Sequence, residues 1–212
     1  MRYDLIAFDL YGTLLSVEQL EAALVPILGD DTRRLLAEWR KQQLARTWEL
    51  NRRGEYQPFG EVTARALANV APDLSPLAME RACLAWLSVP AHSDAAPAVR
   101  RLRDAGVRCA VLSNGTAAMI RSAVDAAGLP IDEVRSVDEV RVYKPDPRVY
   151  ALLDGMAPRE RTLFVSSNGW DVDGCKKTGR TVAYVDRGGT APTETPDLRV
   201  TSLEDLARNA TE

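Results

Sequence analysis

Four short runs in this chain are apolar almost from end to end, and they constrain the fold more than any other feature. They lie at residues 4–10, 107–114, 162–168 and 181–186. A strand with one face in water alternates apolar and polar residues, whereas a near-continuous apolar run has both faces covered, as in a parallel sheet held between helical layers. A fifth, less regular strand is expected near 134–142. The segments between these runs are amphipathic and stop at Gly106, Gly128 and Gly179, where a left-handed helix terminus favours glycine. The expected fold is therefore α/β, a doubly wound, mainly parallel, Rossmann-like sheet.

Residues 16–90 break that rhythm. They read as successive helices at 16–28, 31–53, 58–71 and 76–89, with Ser75 as N-cap and Pro76 in the first helical position of the last. An all-helical insertion after the first strand predicts a cap over a core made of residues 1–15 and 91–212.

Composition narrows the function. A formal charge of -3 over 212 residues gives no electrostatic footprint for nucleic acid, and Arg100, Arg101 and Arg103 fit the solvated face of a helix. Neither a long apolar span nor a cleavable leader pattern is present, so a soluble, cytoplasmic protein without membrane association is expected. Cys83, Cys109 and Cys175 are odd in number and widely spaced, and read as free thiols.

In open α/β sheets, ligands bind beyond the carboxyl ends of the strands. Asp9 follows the buried run 5–8, and Gly12 allows a sharp turn after it. The second strand ends in Ser113-Asn114-Gly115, compatible with a plain turn or with a ring of donors for an anion. Lys144, before Pro145, is either a solvated loop lysine or the cation that holds Asp9 ionised. Tyr150 fits both a core aromatic and a site residue. Ser166, Ser167, Asn168 and Asp171 close the fourth strand, with Asp171 readable as a helix N-cap or as a working carboxylate. On the second helix, Leu36, Arg40 and Leu44 share a face, so Arg40 either snorkels from an apolar stripe or points a cation inward.

Taken together, Phe8-Asp9-Leu10-Tyr11-Gly12-Thr13-Leu14, Ser113-Asn114-Gly115, Lys144-Pro145-Asp146 with Tyr150, and Ser166-Ser167-Asn168-Gly169-Trp170-Asp171 resemble the four core motifs of the haloacid dehalogenase superfamily. The resemblance runs from residue 4 to about 203. The superfamily's phosphatases carry a second acid where Tyr11 stands and a metal-binding aspartate where Ser167 stands. A phenol of ordinary pKa near ~10 is a poor general acid at neutral pH, and losing two carboxylates leaves a poor ligand set for a hard cation. The pattern is therefore identified with the (S)-2-haloacid dehalogenases, with no cofactor or metal.

That resemblance implies roles. Asp9 would attack C2 of a small 2-haloacid, displacing halide with inversion and forming an ester. Thr13, Ser113 and backbone amides near Tyr11 would bind the substrate carboxylate, and Arg40 with Asn114 would take the halide. Lys144 would orient Asp9, and Asp171, with Ser166, Asn168 and Lys144, would position the water that cleaves the ester to an (R)-2-hydroxy acid. Tyr11, Phe59, Tyr150 and Trp170 would line the substrate pocket. Lys41 and Arg46 replace a glutamine and a tyrosine of the family pattern at its outer wall. Family caps commonly contribute to a homodimer, which is expected here. The rivals are a metal-dependent phosphatase of the same superfamily and a non-catalytic binding protein on this fold. An α/β-hydrolase triad is excluded, because the sole histidine, His92, precedes the second strand.

Overall fold

The computed structural model describes residues 3–211. The first strand, β1 (Leu5–Phe8), is buried at every position. The helical insertion follows as α1 (Glu21–Leu28), α2 (Thr32–Arg53), α3 (Phe59–Val70) and α4 (Pro76–Ala85). The chain then alternates through α5 (Ala95–Asp104), β2 (Arg108–Ser113), α6 (Ala117–Ala126) and β3 (Glu133–Ser136). It continues through α7 (Pro147–Tyr150), β4 (Thr162–Ser166), α8 (Gly169–Lys176), β5 (Thr181–Val185), β6 (Leu198–Val200) and α9 (Leu203–Thr211).

All strand pairs are parallel and the sheet order is β3-β2-β1-β4-β5-β6. The order reverses between β1 and β4, which opens a crevice beyond their carboxyl ends. Phe8 is in register with Val165, and the Asp9 N–H donates to the Val165 carbonyl at 2.8 Å. Asp9 and the Ser166–Asn168 turn therefore leave the sheet side by side at that crevice.

The insertion is tied to the core where its two ends pass each other. Leu15 bridges Ala91, the Ser16 N–H donates to Pro90 O, and the His92 N–H donates to Leu14 O. Within it, α2 buries Leu36, Trp39, Gln43, Thr47 and Leu50 on one face, and ends at Gly54 in the left-handed region. Ser75 caps α4 by accepting from the Ala78 N–H, as its sequence predicts. That helix stops at Ala85, short of 89, in a turn that carries the buried Trp86.

One expectation changes, and two features add to the sequence reading. The run 134–142 is not one strand: β3 ends at Ser136, whose hydroxyl accepts from the Asp138 N–H while Glu139 accepts from the Ser136 N–H. That reciprocal cap turns the chain into a helical turn. Strand β6 was hidden by its length of 3 residues. The segment 187–196 is a loop, but it packs inward: the half-buried Arg187 donates to Thr13 O at 3.0 Å and to Asp94 Oδ1 at 2.9 Å.

Candidate active site

Asp9 sits in a fixed set of donors. Its Oδ2 accepts from Thr13 Oγ1 at 2.9 Å and from Asn168 Nδ2 at 2.8 Å, and its Oδ1 accepts from Lys144 Nζ at 3.1 Å. Gly12, at a φ of 94°, makes the turn that brings Thr13 back onto the carboxylate. Thr13 is held in turn by the Ser167 N–H, which donates to its Oγ1 at 2.9 Å, while Ser167 Oγ donates to Gly12 O at 2.6 Å. Ser167, noted in the sequence only for the acid it replaces, is thus a brace for the turn after β1.

Lys144 is fully buried, which removes the solvated-loop reading. Its Nζ lies between Asp9 and Asp171, donating to Asp171 Oδ2 at 2.9 Å. Burial alone would lower the ammonium's pKa, but the charges of Asp171 and Asp9 outweigh it and the net shift is upward. The Lys144 N–H donates to Asn114 Oδ1 at 2.9 Å, so the end of β2 fixes this loop. Asp171 is also fully buried and is not a cap: Asn168 holds the N-cap position of α8, and Asp171 lies in the first turn. Its Oδ1 accepts from Tyr150 Oη at 2.7 Å. Burial pushes the Asp171 carboxyl above the usual range, with the Asp9 charge adding, against the opposing pull of Lys144 and Tyr150.

Several residues stand elsewhere than the sequence implied. Tyr150 is buried behind Asp171 and its hydroxyl is spent there, so it braces the acid and does not line a pocket. Thr13 is committed to Asp9, which leaves its hydroxyl proton unavailable to a substrate carboxylate. The Asn168 side-chain amide donates to Asp9 and to Tyr11 O, not to the Asp171 carboxylate, although its backbone carbonyl accepts from the Asp171 N–H, and Ser166 Oγ accepts from the Asn168 N–H. Phe59 packs on Tyr143 with ring centroids 6.3 Å apart. Trp170 packs edge-on against Trp48 of α2 and lines a cavity of about 790 Å³ with Pro145 and Arg180, which does not include Asp9. Arg46 pairs with Glu49 and Gln57, away from the crevice.

The crevice itself is a cavity of about 530 Å³ lined by Tyr11, Gly12, Leu36, Arg40 and Asn168, with Glu18 and Glu21 also on its wall. Asp9 does not itself line this smaller space, but Asn168, which does, donates to the Asp9 carboxylate at 2.8 Å. Arg40 projects into the cavity from α2 with its guanidinium 5.9 Å from the Trp86 ring and with no hydrogen bond or ion pair among the described residues. Burial pulls its pKa down, against the charges of Asp9, Tyr11, Glu18 and Asp171. Tyr11 is buried, donates to Trp86 O at 3.0 Å, and has its phenol pushed well above its ordinary pKa by burial. It is a wall, not a proton carrier. Trp86 packs edge-on against both Tyr11 and Trp39. Nothing in the sequence beyond its place in an amphipathic helix marks Trp86 for the site. Ser113 Oγ accepts from the Gly115 N–H, and the Asn114 amide has no acceptor among the described residues. Among the described residues, no group of three or more His, Cys, Asp or Glu side chains is placed to hold a metal ion.

The arrangement can do nucleophilic substitution followed by hydrolysis: an oriented carboxylate, an adjacent ammonium, a second buried carboxylate, and an unpaired guanidinium across a cavity. The chain is similar to known proteins over most of its length. A model of haloacid dehalogenase-like hydrolases matches residues 3–179. The chain is 37% identical over 209 residues to an (S)-2-haloacid dehalogenase of Pseudomonas sp. (strain YL), covering 93% of this chain and 90% of that one. It is 38% identical over 217 residues to an (S)-2-haloacid dehalogenase of Pseudomonas putida, covering 95% of each. The solved structure of the Xanthobacter autotrophicus L-2-haloacid dehalogenase with chloropropionic acid covalently bound superposes with a TM-score of 0.91 at 32% identity over 97% of each chain.

Proposed function

The chain belongs to the haloacid dehalogenase-like hydrolase family and acts as an (S)-2-haloacid dehalogenase; we propose that Asp9 is its nucleophile and that the work is divided among the residues around it as follows. The single observation that carries this reading is the Asp9–Lys144–Asp171 bridge beneath an unpaired Arg40.

Oδ2 of Asp9 accepts from two donors and Oδ1 from one, so Oδ1 retains the freer lone pair. Oδ1 attacks C2 from behind the carbon–halogen bond; the C–O bond forms, the C–halogen bond breaks, and halide departs toward Arg40 and the Asn114 amide. The guanidinium stabilises charge that grows only as that bond breaks, which makes its contribution one to the transition state. The substrate carboxylate binds at Ser113 Oγ and the N–H groups of Leu10 and Tyr11. In the second step a water attacks the Asp9 carbonyl carbon, its proton passes to Asp171, and the C–O bond to the acyl carbon breaks. Asp171 returns that proton to the departing alkoxide, so the (R)-2-hydroxy acid leaves as the alcohol, and Asp9 loses the water's second proton to solvent and is regenerated as the carboxylate. Tyr150 and Lys144 hold Asp171 in place for this.

We assign residues 16–90 as the cap, on the Leu15–Ala91 crossing that joins it to the core. A homodimer is supported by the exposed Leu77 and Leu84 of α4, beside an apolar groove that includes Met79, Cys83 and Met119. A cytoplasmic location rests on three unpaired thiols. No helix among the described residues is long and apolar enough to cross a membrane.

The test is halide release from (S)- and (R)-2-chloropropionate with EDTA present. A fixed Asp9 admits one arrangement of carboxylate, substituent and leaving group, so the (S) enantiomer alone is turned over at full rate. Equal rates on both enantiomers, or magnesium-dependent hydrolysis of p-nitrophenyl phosphate, would overturn the assignment.

A further inference from the structure

We propose that Asn51, at the end of the cap helix α2, is a positioning residue that fixes Lys144 through the backbone of Tyr143. The inference rests on the roles given above to Lys144 and Arg40.

Asn51 spends its whole amide on one residue 92 positions away. Its Nδ2 donates to Tyr143 O at 2.7 Å, and its Oδ1 accepts from the Tyr143 N–H at 2.9 Å. An asparagine in a helix's last turn has no intrinsic advantage there, and this one makes no local cap. Instead it supplies a loop residue with both of its main-chain partners, as a neighbouring strand would. The next peptide is held from the other side, by Asn114 accepting from the Lys144 N–H. Two asparagines, one from the cap and one from the end of β2, therefore grip the two peptide groups that lead into Lys144.

The Tyr143 side chain is anchored in the cap as well. It is fully buried, its hydroxyl donates to Gln57 O, and its ring packs against Tyr56 and Phe59 at centroid distances of 5.3 and 6.3 Å. The residue before Lys144 thus belongs structurally to the cap, while the Lys144 side chain bridges two carboxylates of the core. Cap placement and Lys144 placement are one degree of freedom.

The same clamp registers Arg40. Arg40 lies on α2 about three turns before Asn51, roughly 16 Å along the axis and only about 20° around it, so the two side chains leave the same face of one rigid helix. Fixing Asn51 on the Lys144 loop sets how far α2 carries Arg40 over the cavity shared with Tyr11 and Asn168.

Three variants test this. Asn51→Leu removes both hydrogen bonds at similar volume, and Asn51→Asp keeps the acceptor and loses the donor as a milder change. Tyr56→Phe is the control, because it removes a different cap-to-core hydrogen bond, from Tyr56 Oη to Asp138, without touching the 143–144 backbone. Each is assayed for kcat and KM on (S)-2-chloropropionate, for Tm, and for titration of the Lys144 amine by NMR of its 13Cε. For Asn51→Leu we expect kcat to fall at least tenfold with KM changed less than threefold, and the Lys144 titration to move down by at least half a pH unit. Asn51→Asp falls between it and the wild type. Tyr56→Phe keeps both readouts within error while losing Tm. A Lys144 titration unmoved in both Asn51 variants overturns the proposal, as does an equal loss of kcat in Tyr56→Phe. If the titration moves as expected but the wild-type protein releases no halide, the positioning role stands and the dehalogenase roles fail.

Discussion

Lys144 Nζ stands 3.1 Å from Asp9 Oδ1 and 2.9 Å from Asp171 Oδ2, so one buried ammonium serves both carboxylates of the site. Two acids that share a cation are held at a fixed separation, and each is oriented by the same nitrogen. Asp9 can then act as nucleophile while Asp171 waits for the second step.

Removing that nitrogen leaves two buried carboxylates uncompensated. Lys144→Ala should lower stability by about 3–5 kcal/mol, the usual cost of breaking a buried ion pair from one side, and reduce kcat at least a hundredfold. Lys144→Arg should not restore activity, because a planar fork cannot take the place of a compact ammonium between two oxygens. Denaturant titration with halide-release kinetics checks both. A folded Lys144→Ala protein with wild-type turnover would remove the residue from the mechanism.

The Asp171 carboxyl is raised by burial, and a base works only when ionised. A raised pKa means that the proton stays on to higher pH, so the acid limb of kcat should lie above the ~3.9 of a free aspartate. The Lys144 ammonium is shifted upward, so its loss limits activity only above about pH 10.4. Measured kcat should therefore rise with pH through a single-proton limb whose midpoint lies above that of a free aspartate. Asp171→Asn should abolish that limb and stop after one equivalent of halide per enzyme.

Gly174 of α8 sets how closely that helix approaches the Lys144 loop. A Cβ there would lie 2.3 Å from Pro145 Cβ and 2.8 Å from Tyr150 Oη, so the helix or both neighbours must move. Alanine is the better helix former by about 1 kcal/mol, but overpacking costs about 1–3 kcal/mol, and here it pushes on the residue after Lys144 and on the hydroxyl that holds Asp171. Gly174→Ala should lose Tm and at least tenfold in kcat, while Gly155→Ala, with open space around its Cβ, should change neither. Thermal denaturation and steady-state rates of the two proteins decide it.

What the sequence makes legible here follows from how local each signal is. The all-buried runs of β1 and β4 announce a parallel sheet and Asp9 follows the first of them directly, whereas Lys144 and Asp171, several residues beyond β3 and β4, are singled out by the motif resemblance and not by position. Orientation is less local. Asp171 sits among short polar residues that suit an N-cap, and only the fold shows Asn168 taking that position while its amide turns back to Asp9. Tyr150 looks the same from the sequence whether it faces substrate or braces an acid. The Ser136-to-Glu139 spacing that ends β3 was readable as a capping box, but the apolar residues after it suggested a longer strand. Asn51 and Trp86 carry no local signal, because their partners are distant in the chain: Tyr143 for the one, Tyr11 and Arg40 for the other.

The covalent step at Asp9 is the centre of the account, and a single turnover in 18O water with enzyme in excess tests it most directly. If Asp9 attacks C2 and water cleaves the ester at the acyl carbon, the product oxygen comes from the Asp9 carboxylate and solvent oxygen enters Asp9. Mass spectrometry should find label on the peptide containing Asp9 and none in the 2-hydroxy acid. Label in the hydroxy acid with Asp9 unlabelled would mean that Asp171 activates water for direct attack on C2, and would contradict the ester mechanism even with dehalogenation intact.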